Sequence, residues 1–353
     1  MTLFSLLLVM ALERVTTKSK QFHIATLAEA YFGFLSRKGW LLGGHSSDTH
    51  SKKEQAANHY YNADDSSSLG LVSILVMALV PTLIAFLLLN ALPSLFVFMI
   101  NLLVLWVCLG CPVTRSTYKR YLQAAHREDF QACALHSMSF GNEGGALSNV
   151  GKQLVLVNYR QYASVIIFFI VLGAPGVIFY SLIKEWVLHQ KRQQAALKEQ
   201  ATSTNSSINS TVNSRLNTEQ GDIDQNAIIN EQSPEVFSEV SPEVSPEVLP
   251  TENTSGKGES LLFVLDWLPV RITTFGFLIV GHFSNALSAW FDIIVNPQTS
   301  TYDALASVSK AAEDVGDRDS HLNEPLQLVK LVKRNIVFIL MLLSLATMVG
   351  VVA

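Results

Sequence analysis

Residues 66–114 read SSSLGLVSILVMALVPTLIAFLLLNALPSLFVFMINLLVLWVCLGCPVT, 49 residues without Asp, Glu, Lys, Arg or His. Crossing a hydrocarbon core takes roughly 20 apolar residues per helix, so the stretch holds two spans, Leu69–Leu89 and Ala91–Cys111. Asn90 and Pro93 mark the turn between them. A connection this short sets the two helices antiparallel, as a hairpin. Arg14, Lys18, Lys20, Arg37, Lys38, Lys52 and Lys53 precede the hairpin, and Arg115, Lys119 and Arg120 follow it. The positive-inside rule then puts both open ends in the cytoplasm and the Asn90 turn outside.

The rest of the chain agrees with a membrane setting. Of 353 residues 49% are hydrophobic and 15% are charged, with mean hydropathy +0.29; a soluble domain carries about a quarter charged residues. The net charge of −4 hides an uneven distribution, since residues 193–260 hold 11 acids against 3 bases. No dense basic helix is present, which excludes a nucleic-acid partner. Three cysteines cannot build a disulfide framework. Cys108 and Cys111 form a C-x-x-C at the end of an apolar span, where small buried thiols pack, and Cys133 is a lone thiol in a soluble segment.

The expected architecture is an all-α polytopic membrane protein: the hairpin, two or three further spans, and cytoplasmic helical segments. Residues 1–65 form an N-terminal interfacial helix and a cytoplasmic segment; Met1–Leu12 is too short to cross and lacks the basic region and cleavage site of a secretory signal. The hairpin occupies 66–114. Residues 115–160 form a cytoplasmic helical segment in which Tyr118, Tyr121, Leu122 and Ala125 make one apolar face. Its glycine-rich stretch, Gly141 to Lys152, lacks the first glycine, the hydroxyl residue and the preceding strand of a phosphate-binding loop, so it reads as a turn. A third span covers 161–187, with Gly173-Ala-Pro-Gly176 expected to kink it. Residues 188–260, with Ser-Pro-Glu-Val repeated at Ser233, Ser241 and Ser245, read as a disordered acidic linker. The apolar segment 261–291 is a candidate span, 292–334 is cytoplasmic and helical, and 335–353 is a C-terminal span. Lys330, Lys333 and Arg334 place the start of that last span in the cytoplasm, and parity then favours a crossing by 272–291. Lys184, Lys191 and Arg192 argue the other way, because they fall on the outer side of the third span.

Ionisable residues inside apolar sequence mark function by default, since an unpaired charge there is costly. Asp266 and Arg271 are the foremost binding candidates: either a ligand-facing pair, with Arg271 holding a carboxylate or phosphate, or a structural ion pair. Arg160, at the start of the third span, is a further binding candidate or a snorkelling side chain. His282 is the last, weighed against simple packing. Trp267 and Trp290 suit an interfacial belt. No nucleophile–base pair and no metal-ligand spacing stands out.

Several of these pieces together carry a resemblance: Met1-Thr-Leu-Phe with Glu13-Arg14, Tyr118-Lys-Arg-Tyr-Leu-Gln-Ala-Ala, Asn158-Tyr-Arg160, Asp266-Trp-Leu-Pro-Val-Arg-Ile, and Ile-Val-Gly-His282 followed by Ala-Leu-Ser-Ala-Trp290-Phe. The chain resembles the AmpE family, inner-membrane proteins of Gram-negative bacteria tied to β-lactamase regulation. The resemblance covers most of the chain except Gln193–Ser260, which looks like an insertion. It implies a signalling role in β-lactamase induction or in sensing cell-wall recycling, without catalysis or cofactor, in the inner membrane. The implied partners are the lipid bilayer and the pathway of the cytoplasmic anhydro-muropeptide amidase. More distantly, the Pro-x-Arg and Gly-x-Pro-Gly features are similar to the adenosylcobinamide-phosphate synthase family, whose Glu-Asn-x-x-Asp run is replaced here by Leu156-Val-Asn-Tyr-Arg-Gln. A divergent amide-forming synthase is therefore the alternative, and a small-molecule permease the third.

Overall fold

The structure is a computed structural model that describes residues 2–15, 23–37, 65–141, 147–219, 257–313 and 323–350. Every long element among them is an α-helix, and the chain is an all-α, multi-pass membrane protein. Four apolar stretches have the length and composition to cross a bilayer: Ile74–Ala91, Ser94–His126, Val150–Gln193 and Gly258–Val280.

The chain starts with α1 (Thr2–Val15), whose Leu6 and Val9 are buried, and α2 (Ile24–Arg37), which buries Ile24, Ala28, Phe32 and Leu35 at helical spacing. The hairpin follows as α3 (Asp65–Ala91) and α4 (Ser94–Cys108). Pro81 interrupts the hydrogen-bond ladder of α3 and frees the carbonyl of Met77 four residues earlier. Tyr31 of α2 donates its hydroxyl to that carbonyl at 3.0 Å, so the helix defect becomes a tertiary contact. After a break at Gly110, α5 (Pro112–His126) and α6 (Phe130–Met138) pack together over Tyr121, Cys133 and Phe140. Residues 142–146 of the glycine-rich turn lie outside the described residues.

Next come α7 (Val150–Asn158), a π-helical turn (Tyr159–Ala163) and α8 (Ser164–Glu219). The expected single span over 161–187 is corrected here. Gly173 has φ 69° and ψ −161°, and two helices meet across it. Tyr159 and Tyr180 are 21 residues apart, about 31 Å along a straight helix, yet both hydroxyls reach one atom of Asp266. The rings of Phe168 and Tyr180 stack with centroids 4.6 Å apart. The chain therefore turns back on itself at Gly173. That reversal also removes the charge anomaly at Lys184, which returns to the neighbourhood of Arg160 instead of facing it across a bilayer.

The crossing expected over 272–291 is likewise revised. Helix α9 (Lys257–Val280) ends at Gly281, and α10 (Phe283–Val295) runs back along it, with Arg271 reaching the carbonyl of Ile293. A Cβ on Gly281 would strike Ala312, and the His282 amide donates to the Ala312 carbonyl at 2.7 Å. Helix α11 (Thr301–Glu313) packs on α7, α9 and α10, and α12 (Asn323–Met348) on α7 and α9. The C-terminal run expected as a span forms the second half of α12, with 351–353 outside the described residues.

Residues 1–187 with 256–353 form one compact unit, and 188–255 a second. In the second unit the backbone is helical from 188 to Glu219, where composition anticipates a linker. Its opening, Gln190-Lys-Arg-Gln-Gln-Ala-Ala-Leu-Lys-Glu-Gln, consists of strong helix formers, which favour helix without any burial. The remainder of the expected linker up to Gly256, including the Ser-Pro-Glu-Val repeats, lies outside the described residues.

Candidate functional site

Asp266 lies on α9 among Leu265, Trp267 and Leu268, and is 1% exposed. Its Oδ1 accepts the hydroxyl of Tyr159 at 3.0 Å and that of Tyr180 at 2.9 Å. Both tyrosines are fully buried. Tyr159 comes from the arm before the Gly173 reversal and Tyr180 from the arm after it, so one carboxylate ties both arms to α9. Arg160 and Lys184 place positive charge within electrostatic reach of that carboxylate. Lys184 is itself buried, 3.3 Å from Glu185. The Nε of Arg160 is buried and finds no hydrogen-bond partner among the described residues.

The π-helical turn explains how neighbouring tyrosines serve different places. The Ser164 amide bonds back to the Tyr159 carbonyl, one residue further than in an α-helix. The wider turn opens the angle between Tyr159 and Tyr162 beyond the roughly 60° of an α-helical i, i+3 pair. Tyr162 thereby donates to Oε1 of Glu13 on α1 at 2.7 Å, and Arg115 of α5 reaches the same oxygen at 3.0 Å. Gly110, with φ +72°, lies under this second polar centre; a Cβ there would collide with the Glu13 carboxylate and the Tyr162 hydroxyl. His23 Nε2 is 3.1 Å from the Gly110 carbonyl. Two polar centres, one around Asp266 and one around Glu13, thus meet at a single π-turn.

Asp266 and Arg271 do not pair. Five residues along an α-helix turn a side chain by about 140°, so the two point to opposite faces of α9. Arg271 instead lies over the Trp267 ring, 4.1 Å from its centroid, and donates to the carbonyls of Trp267 at 3.0 Å and Ile293 at 3.2 Å. Ile293 is in the last turn of α10, where carbonyls lack helical donors and cations are favourable. Arg271 is thus a clamp between α9 and the end of α10. His282 is exposed and stands at the N-cap of α10. Of the four residues singled out by sequence, the structure brings Asp266 and Arg160 together and places Arg271 and His282 elsewhere.

The partners missed by sequence reading are Tyr159, Tyr180 and Lys184, and the whole Glu13 centre with Tyr162 and Arg115. Tyr159 stands beside Arg160 in Asn158-Tyr-Arg160, which was the available signal. Among the described residues no three His, Cys, Asp or Glu side chains gather as a metal would require. Cys108, Cys111 and Cys133 are all free thiols. Burial, with Asp129 adding to it, pushes the Cys133 thiol above its ordinary pKa, which leaves it a poor nucleophile.

A family model described as "Regulatory signalling modulator protein AmpE" matches residues 50–213 and 245–353. The chain belongs to the AmpE family. Protein AmpE of Shigella flexneri is 24% identical over 370 residues, with 99% of each chain covered. No solved structure matches the chain. The break in the AmpE match, 214–244, falls inside the acidic segment, while Tyr159, Arg160, Tyr180, Lys184 and Asp266 all lie within the matched ranges.

Proposed function

We propose that this chain is a regulatory protein of the bacterial inner membrane, acting without catalysis in β-lactamase induction or in sensing the state of cell-wall recycling. Its functional coupling runs to the pathway of the cytoplasmic anhydro-muropeptide amidase. The Asp266 centre, with Arg160 beside it, sets the state of the molecule. The observation that carries this reading is one buried carboxylate holding tyrosines from both arms of a reversed helix. Such a polar network in an apolar bundle has discrete arrangements, and whatever changes the carboxylate's charge or partners changes how the arms sit on α9. Regulatory family membership supports the role, and an oxygen already engaged by two hydroxyls supports positioning over chemistry.

Asp266→Asn is the test, because it keeps an acceptor for the tyrosines but removes the charge. Membrane levels near normal with lost or constitutive β-lactamase induction are expected in a strain that depends on this chain. Normal levels with unchanged induction would defeat the reading. Arg271→Ala, which loosens α10 without touching the carboxylate, is expected to leave induction in place.

A further inference from the structure

One face of α12 changes character along its length. Its first turns show Gln327, Lys330, Lys333 and Arg334, which with Glu313 line a cleft of about 490 Å³. The same face then continues as Val337, Met341, Leu345 and Met348, exposed by 62, 72, 61 and 85%. The opposite face, with Leu328, Leu331, Val332, Ile339 and Leu343, is buried. Glu313 pairs with Arg334, and Lys330 and Lys333 face no carboxylate among the described residues. The cleft thus keeps two unneutralised ammonium groups and a neighbouring amide.

We propose that this cleft binds the phosphate headgroup of an anionic phospholipid, with one acyl chain lying along the apolar strip that follows. The charge favours a phosphodiester: two ammonium groups and the Gln327 amide are donors for its oxygens. The strip favours a lipid over a free anion. From Arg334 to Met348 the helix rises about 21 Å, more than the roughly 15 Å of one hydrocarbon leaflet. Cations immediately before an apolar helix are also where acidic headgroups concentrate. The inference rests on reading the second half of α12 as membrane-embedded and is independent of the signalling role.

The full chain, purified in detergent, is to be titrated with phosphatidylglycerol and with phosphatidylcholine and read by native mass spectrometry. Preference for phosphatidylglycerol is expected. Lys330→Gln with Lys333→Gln, both exposed, is expected to weaken that lipid roughly thirtyfold, at the surface value for two cations, while membrane levels stay unchanged. Lys119→Gln with Arg120→Gln on α5 is expected to leave binding as it is. Three results would each overturn the proposal: equal retention of the two lipids, equal loss in the α5 variant, or displacement of the lipid by millimolar inorganic phosphate. The last would make the cleft a site for free anions.

Discussion

In α3, 17% of the most apolar window is buried by protein, and in the 150–193 stretch 61% is. The first belongs to a hairpin that turns at Asn90–Pro93, the second to one that turns at Gly173. The α3–α4 hairpin leaves Leu83, Phe86, Leu87, Phe96 and Leu103 exposed, as a lipid-facing element does. Asn90 bonds to the Phe86 carbonyl at 3.0 Å and Pro93 opens α4, so the turn is satisfied locally. The Gly173 hairpin is buried on both arms and fastened through Asp266. Hydrocarbon gives apolar helices little reason to prefer one another over lipid, so close packing and hydrogen bonds must hold them. A hairpin at the periphery needs a turn; one in the centre needs a pin.

Replacing the turn glycine should break the central hairpin most severely. The φ and ψ of Gly173 fall in a region open essentially to glycine alone, and a β-branched residue there is strained. Gly173→Val is expected to lower the amount of folded protein in membranes several-fold, as measured by immunoblot and by size-exclusion of the detergent extract. Normal yield of a monodisperse Gly173→Val protein would show that the reversal does not depend on this backbone conformation.

The next effect concerns the pin. Asp266→Ala leaves two buried hydroxyls without their acceptor and removes the charge opposite Arg160 and Lys184. Removing one partner from such a buried network costs about 3–5 kcal/mol. A clear fall in thermal midpoint is expected, with Asp266→Asn losing less. Tyr159→Phe and Tyr180→Phe are each expected to cost about 1–2 kcal/mol, and less than additively together because they share one oxygen. Additive losses would mean that the tyrosines act separately and that the arms are not held by one common anchor.

These two hairpins also differ in how far the sequence discloses them. Forty-nine uncharged residues with Asn90 and Pro93 in the middle leave little choice but a hairpin. Gln161–Ile183 is 23 uncharged residues long, the length of one span, and a Gly-Ala-Pro-Gly within it is compatible with a kink as well as with a reversal. The positive charge of Lys184 was the signal for reversal, because a straight span puts it on the wrong side. Asp266 was legible as a costly acid in apolar sequence. Its partners were not, because a tyrosine in an apolar run does not disclose where its hydroxyl points. Arg271 was the nearest opposite charge in sequence, but spacing of five on a helix sends it to the far face. The Glu13 centre joins α1, α5 and the π-turn, and only the fold brings Glu13 to Tyr162, 149 residues away.

The smallest effect is expected at the peripheral turn, and it is informative for that reason. Asn90 is exposed, and its one hydrogen bond runs to a carbonyl in the last turn of its own helix. Losing such a bond at an exposed helix end, where solvent or headgroups replace it, falls within about 0.5 kcal/mol. Asn90→Ala should therefore leave the thermal midpoint in detergent almost unchanged, and insertion of two or three Gly/Ser residues after Asn90 should be tolerated. An insertion of the same length after Gly173 should not be, since it moves Tyr180 away from Asp266. If both insertions were tolerated, the central arms would be docked by side-chain packing alone. If the one after Asn90 collapsed the protein, the α3–α4 hairpin would have a partner among its exposed apolar side chains, and the lipid-facing assignment of that hairpin would fall.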